Sequence, residues 1–85
     1  MLASIDRNAE IENIRNHPAE TIVTLRSLLT GGAALVPDGK RRGFYEVESG
    51  SLVYYIHVSP VTGNILLLAT WPSETVPAGV GEVLL

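Results

Sequence analysis

The stretch FYEVESGSLVYYIHVSPVTGNILLLATW, residues 44–71, decides how this chain folds. Its apolar residues recur at every second position, the period of a strand with one face buried. Three runs rich in β-branched and aromatic residues stand out, over 44–48, 52–59 and 65–71. Ser49-Gly50 divides the first pair and Pro60-Val61-Thr62-Gly63 the second, and both are hairpin signals. A further short strand is expected over 33–36, ahead of the turn Pro37-Asp38-Gly39.

The first hairpin fixes a register. With Ser49-Gly50 as a two-residue loop, Glu48 pairs with Ser51 and Val47 with Leu52. One face then collects Tyr45, Val47, Leu52, Tyr54, Ile56 and Val58; the other collects Phe44, Glu46, Glu48, Ser51, Val53, Tyr55 and His57. A slip of one residue would set Glu46 and Glu48 among Leu52, Tyr54 and Ile56. Burying unpaired carboxylates costs several kcal/mol, so the first arrangement wins. The first face is the one helices cover. Phe44, Val53 and Tyr55 leave the second face partly apolar, and Ile65-Leu66-Leu67-Leu68 is apolar on both sides. Such a strand lies centrally with both faces covered. Here the cover is either the C-terminal tail or a second copy of the chain.

Upstream, the period changes to that of a helix. Residues 4–16 carry Ala9, Ile11 and Ile14 on one stripe, with Ser4 or Asp6 as cap. Pro18 suits the first turn of a new helix, and Ile22, Leu25, Leu28 and Leu29 follow at helical spacing until Gly31-Gly32. The stripe keeps one phase throughout, so two helices and one kinked helix both fit. The expected fold is α+β: one or two N-terminal helices within 4–30, packed on a three- to four-stranded antiparallel sheet. The meander occupies 43–71 and an irregular tail 72–85, where Val83-Leu84-Leu85 is apolar enough to dock.

Eighty-five residues make one domain. Hydrophobic residues at 46% against 18% charged describe a chain that folds. It has no cysteine, which removes disulfides, thiolate metal sites and a thiol nucleophile, and fits a cytoplasmic address. The longest apolar run is far short of a bilayer span, and the N-terminus lacks the pattern of a signal peptide, so no membrane association is expected. Net charge is −3, which disfavours nucleic acid for the molecule as a whole. Lys40-Arg41-Arg42 is the exception, holding every lysine and arginine beyond Arg26.

No catalytic constellation is present. His57 shares the second face with Glu46, Glu48, Ser51 and Tyr55, which is the skeleton of a general base beside a hydroxyl, or simply a half-exposed sheet histidine. His17 precedes Pro18 and reads as a capping or packing residue. Two histidines forty positions apart give no metal-binding spacing, and neither metal nor cofactor is expected. Gly31-Gly32 follows a helix, whereas a phosphate cradle precedes one. Lys40, Arg41 and Arg42 beside Phe44 and Tyr45 form the one basic-aromatic cluster. It is either a nucleic-acid contact or a solvated turn guarding a strand entry. Trp71, just before Pro72, reads as the closing residue of a core.

Residues 44–58 and 64–71, with the Gly63 turn between them, resemble the C-terminal sheet of the RelE/ParE-like toxin superfamily. The resemblance covers about thirty residues. It implies two N-terminal helices before an antiparallel sheet, and binding of RNA or of an antitoxin partner. Arg41, Arg42 and Tyr45 are the residues that match the family's basic and aromatic set. The sequence departs from that set at Glu46 and Glu48 on the first strand, on a second strand without arginine or lysine, and at Trp71 closing the last.

Three functional expectations follow. The leading one is a non-enzymatic interaction domain that self-associates through Phe44, Val53 and Tyr55. The alternative is a divergent RelE-like protein that meets RNA or a protein partner through Lys40, Arg41, Arg42, Tyr45 and His57. A small hydrolase or transferase built around His57 comes third.

Overall fold

The computed structural model describes residues 5–73. The order of elements is β1 (Ile11–Glu12), α1 (Ala19–Thr30), β2 (Val36–Pro37), β3 (Phe44–Ser49), β4 (Leu52–Val58) and β5 (Ile65–Pro72). They form an α+β fold, with α1 on one face of a five-stranded sheet in the order β1-β5-β4-β3-β2. Strands β2 to β5 are mutually antiparallel, as the two-residue period predicts. Strand β1 was not expected; it runs parallel to β5, pairing Ile11 with Ile65 and Glu12 with Leu66, so the sheet is mixed.

The three long strands fall where the alternation places them, but the loop of the first hairpin sits one residue later than expected, which shifts the pairing by two. Ser49 pairs with Leu52 and Val47 with Tyr54, leaving Gly50-Ser51 as the loop. Gly50 has φ 56° while Ser51 stays at negative φ, the asymmetry of a type II′ turn, which wants glycine first. A pairing shift of two leaves every side chain on its expected face. Tyr54, Ile56 and Val47 accordingly pack under Leu25 and Leu29 of α1, with Ile65 and Leu67 from β5.

A bulge between Tyr55 and Ile56 re-phases β5. Ile56 opposes Leu67, yet Tyr55 opposes Ala69, so Leu68 is the extra residue. Ile65 and Leu67 thus face the helix, while Ala69 and Trp71 turn to the opposite side. One strand thereby feeds two apolar clusters, as its double-sided apolarity demands.

Helix α1 starts at Pro18, which contributes no side-chain cap, and carries Glu20 in its first turn. It ends in a Schellman arrangement: Ala33 N–H donates to Leu28 O at 3.0 Å and Gly32 N–H to Leu29 O at 3.2 Å. No helix forms over 5–16, which corrects both the two-helix and the kinked-helix expectation. The reason is a clasp of two arginines. Arg26, on α1, donates to Arg7 O at 2.7 Å and also to Ala9 O, while Glu10 O accepts from Ile65 N–H at 2.8 Å. Carbonyls committed to partners across the molecule are lost to an i to i+4 ladder. Arg7 in turn donates to Leu29 O in the last turn of α1 and to Ala33 O just beyond it. Asn13 closes the next turn, donating to His17 O and accepting from His17 N–H, with Asn16 at φ 60°. The expected cap at Ser4 and the tail from 74 to 85, Val83-Leu84-Leu85 included, lie outside the described residues.

Candidate functional site

The face of the sheet away from α1 carries the candidate residues. Pairing sets Phe44 opposite His57, Glu46 opposite Tyr55 and Glu48 opposite Val53, and the bulge brings Ala69 and Trp71 alongside. Four rings line up across it. His57 stacks on Phe44 with centroids 4.2 Å apart, Phe44 on Tyr55 at 5.8 Å, and Tyr55 meets Trp71 at 5.8 Å. Exposure grades along this row: Tyr55 is 1% and Trp71 6% exposed, whereas Phe44 and His57 are half-buried. Val53 is buried beside them, and Phe44, Leu68 and Ala69 surround the cluster partly exposed. The Trp71 indole N–H is buried with no acceptor among the described residues.

The 38–43 loop, between β2 and β3, is pinned to the half-buried end of this row. Tyr55 Oη donates to Asp38 Oδ2 at 2.5 Å, and Lys40 N–H to Asp38 Oδ1 at 2.9 Å. The chain closes behind them, with Asp38 N–H on Phe44 O at 2.8 Å and Phe44 N–H on Arg41 O at 3.3 Å. Gly43 O accepts from Val58 N–H at 2.9 Å and lies 3.0 Å from His57 Nδ1. A nitrogen facing a carbonyl must carry the proton, so the free lone pair of neutral His57 sits on Nε2. Gly43 is at φ 85°, and a Cβ there would lie 3.3 Å from His57 Cε1. Only glycine fits this close passage without strain.

The polar pair is polarised in opposite senses. Asp38 is held below the usual carboxylate range by the Tyr55 hydroxyl, then by Lys40 N–H, with the charge of Arg41 adding to both. Burial first and the Asp38 carboxylate second push the Tyr55 phenol up to about 12. Tyr55 is therefore a proton-holding donor, not a nucleophile or base.

Four of the five residues expected to meet RNA or a partner come from this end: Lys40, Arg41 and Arg42 on the loop, and His57 beneath it. Tyr45 does not join them, because it lies across the sheet and packs toward the α1 core. His57 is oriented by a backbone carbonyl and stacked on a phenyl ring; the general-base arrangement with Glu46 or Glu48 is not what its Nδ1 contact provides. Of the three residues expected for self-association, Val53 and Tyr55 are buried within the chain and Phe44 keeps an accessible surface. The sequence reading missed Asp38 as more than a turn residue. Its Asp-Gly pair foretells the turn, but nothing local foretells a phenol seventeen residues away.

Among the described residues no group of three or more His, Asp or Glu side chains is placed to hold a metal ion, and no helix is long and apolar enough to cross a membrane. Comparison with protein-family models, curated proteins and solved structures finds no match for this chain. The functional reading rests on the geometry alone.

Proposed function

We propose that this chain is a small non-enzymatic interaction domain that self-associates through the second face of its sheet. The observation that carries the reading is that the second apolar cluster, on the face opposite α1, is not sealed at its rim. Phe44, Leu68 and Ala69 form its accessible border, and Val53 and Tyr55 support that border from beneath. Apolar surface of this kind, framed by charge at Lys40 and Glu48, is what copies of a chain use to associate. Light scattering over a range of concentrations tests it. The wild-type chain should grow in mass with concentration, and Leu68→Lys should stay monomeric while keeping its far-ultraviolet circular dichroism. A wild type that remains monomeric throughout would sink the reading.

A second reading has its own support. The Phe44–His57 stack ends beside three consecutive cations, on a chain whose other three cations face nine acidic residues. A half-exposed ring pair next to a pinned basic loop suits a single-stranded nucleic acid, with stacking for bases and cations for phosphates. In this reading the chain is a divergent RelE-like protein that binds RNA, or an antitoxin-type protein partner, through Lys40, Arg41, Arg42 and His57. Replacing Lys40 and Arg42 by glutamine should weaken binding of a single-stranded RNA and reduce its salt slope by about one for each phosphate no longer neutralised. Failure of the wild type to bind such an RNA at low salt disposes of it.

A further inference from the structure

The two edges of the sheet are guarded differently. At the β2 edge stands Pro37, which has no N–H to offer, followed at once by the charged 38–42 loop. Glu48 adds an exposed charge further along β3. These are the usual means of keeping a strand edge from pairing with another chain. At the opposite edge, β1 covers only Ile65 and Leu66 of β5. Residues 68–72 continue the strand with no neighbour on their outer side among the described residues. Their sequence, Leu-Ala-Thr-Trp-Pro, contains no charge, and only its last residue lacks a donor. Main-chain direction can be followed along it. Ser73 N–H points inward to Ser51 O at 3.0 Å, and alternation through Trp71 turns the N–H and C=O of Thr70 outward.

We propose that a second copy of this chain adds its own β5 edge to residues 68–72, antiparallel about a twofold axis. This rests on the self-association reading and gives it a geometry. A twofold antiparallel pairing is self-complementary, since each copy donates and accepts the same main-chain bonds. An uncharged strip facing its own image meets no like charge, whereas the β2 edge would oppose Glu48 and the basic loop to their own copies. Pairing also brings Leu68, Ala69 and Trp71 of one copy beside those of the other, so the second apolar cluster continues across the junction. Two five-stranded sheets then become one.

Amide hydrogen exchange of the wild-type chain, read residue by residue by NMR at high and low concentration, tests this beside light scattering of the same samples. When nine-tenths of the chains are paired, exchange at Thr70 should slow about tenfold relative to the dilute sample, with the exposed turn residue Val61 unchanged. Thr70→Pro, which removes an outward donor and spares the β4 ladder, should abolish the concentration dependence of mass. If the chain associates but Thr70 exchanges equally fast at both concentrations, the edge geometry is wrong and association through the second face stands. If Thr70 is equally protected in a monomeric dilute sample, another part of the same chain occupies the edge, and the proposal falls. A strict monomer overturns both this geometry and the reading beneath it.

Discussion

The two faces of the sheet solve the same problem by different chemistry. Under α1, the core is Leu25, Leu29, Val47, Ile56, Ile65 and Leu67, all fully buried, with Tyr54 nearly so. That core holds no charged side chain, and no polar residue is buried among the described ones. The other face uses rings in a row and two polar fastenings, Tyr55 to Asp38 and His57 to the Gly43 carbonyl. Dispersion and apolar burial act regardless of solution conditions near neutrality, whereas a phenol–carboxylate bond needs one partner protonated and the other not. The difference teaches that the helical face supplies stability and the ring face supplies a shaped, condition-sensitive surface.

The strongest way to test that division is to remove volume beneath the helix. Ile56→Ala should cost about 2–5 kcal/mol in chemical denaturation, because the site is sealed and cannot collapse freely. Should the loss fall below about 1 kcal/mol, the helical face would not be the main source of stability. Next comes Gly43→Ala. A side chain at φ 85° costs about 1–2 kcal/mol, and the added carbon also presses on the His57 ring. The His57 ring resonances should shift in NMR spectra while those of Tyr54 stay in place. Shifts at both would mean that the faces are not independent.

Much of this division is legible in the sequence and some of it is not. Alternation from Phe44 onward assigns faces correctly even though the first hairpin turns one residue later, because parity, not loop position, decides burial. The bulge at Leu68 is different. A four-residue apolar run says that both faces are fed but not where the phase changes. Residues 5–16 mislead for a third reason. Ala9, Ile11 and Ile14 keep a helical stripe, yet the Arg26 guanidinium and β5 claim the carbonyls of Arg7, Ala9 and Glu10. Long-range donors overrode local propensity, and single-sequence periodicity cannot register a donor nineteen residues away. The same holds for the candidate site, where the basic loop and His57 are readable as residues but their fastening through Asp38 is a product of the fold.

Tyr55→Phe isolates one fastening on the ring face. The ring row is kept and the bond to Asp38 is removed, so stability should drop by about 1 kcal/mol at neutral pH, Asp38 being open enough to recover water. Amide exchange within the 38–43 loop should quicken more than in α1, which follows only the global loss. A loss spread evenly over both would contradict the separation of the two faces.

The smallest effect is the pH dependence of that bond, read as the stability of the wild type minus that of Tyr55→Phe. Asp38 titrates below its unfolded value of 3.8, so its contribution is present above that value and fades as pH falls through the folded one. Tyr55 titrates at about 12 against 10.0 unfolded, so its contribution is complete below pH 10 and declines as pH climbs from 10 toward 12. Burial of the phenol leads on the alkaline limb, and the shared hydrogen bond contributes to both shifts. The difference curve should therefore run level between roughly pH 4 and 10 and bend down at each end. A curve level from acid to alkali would mean that the Tyr55–Asp38 bond contributes nothing to the stability of the ring face.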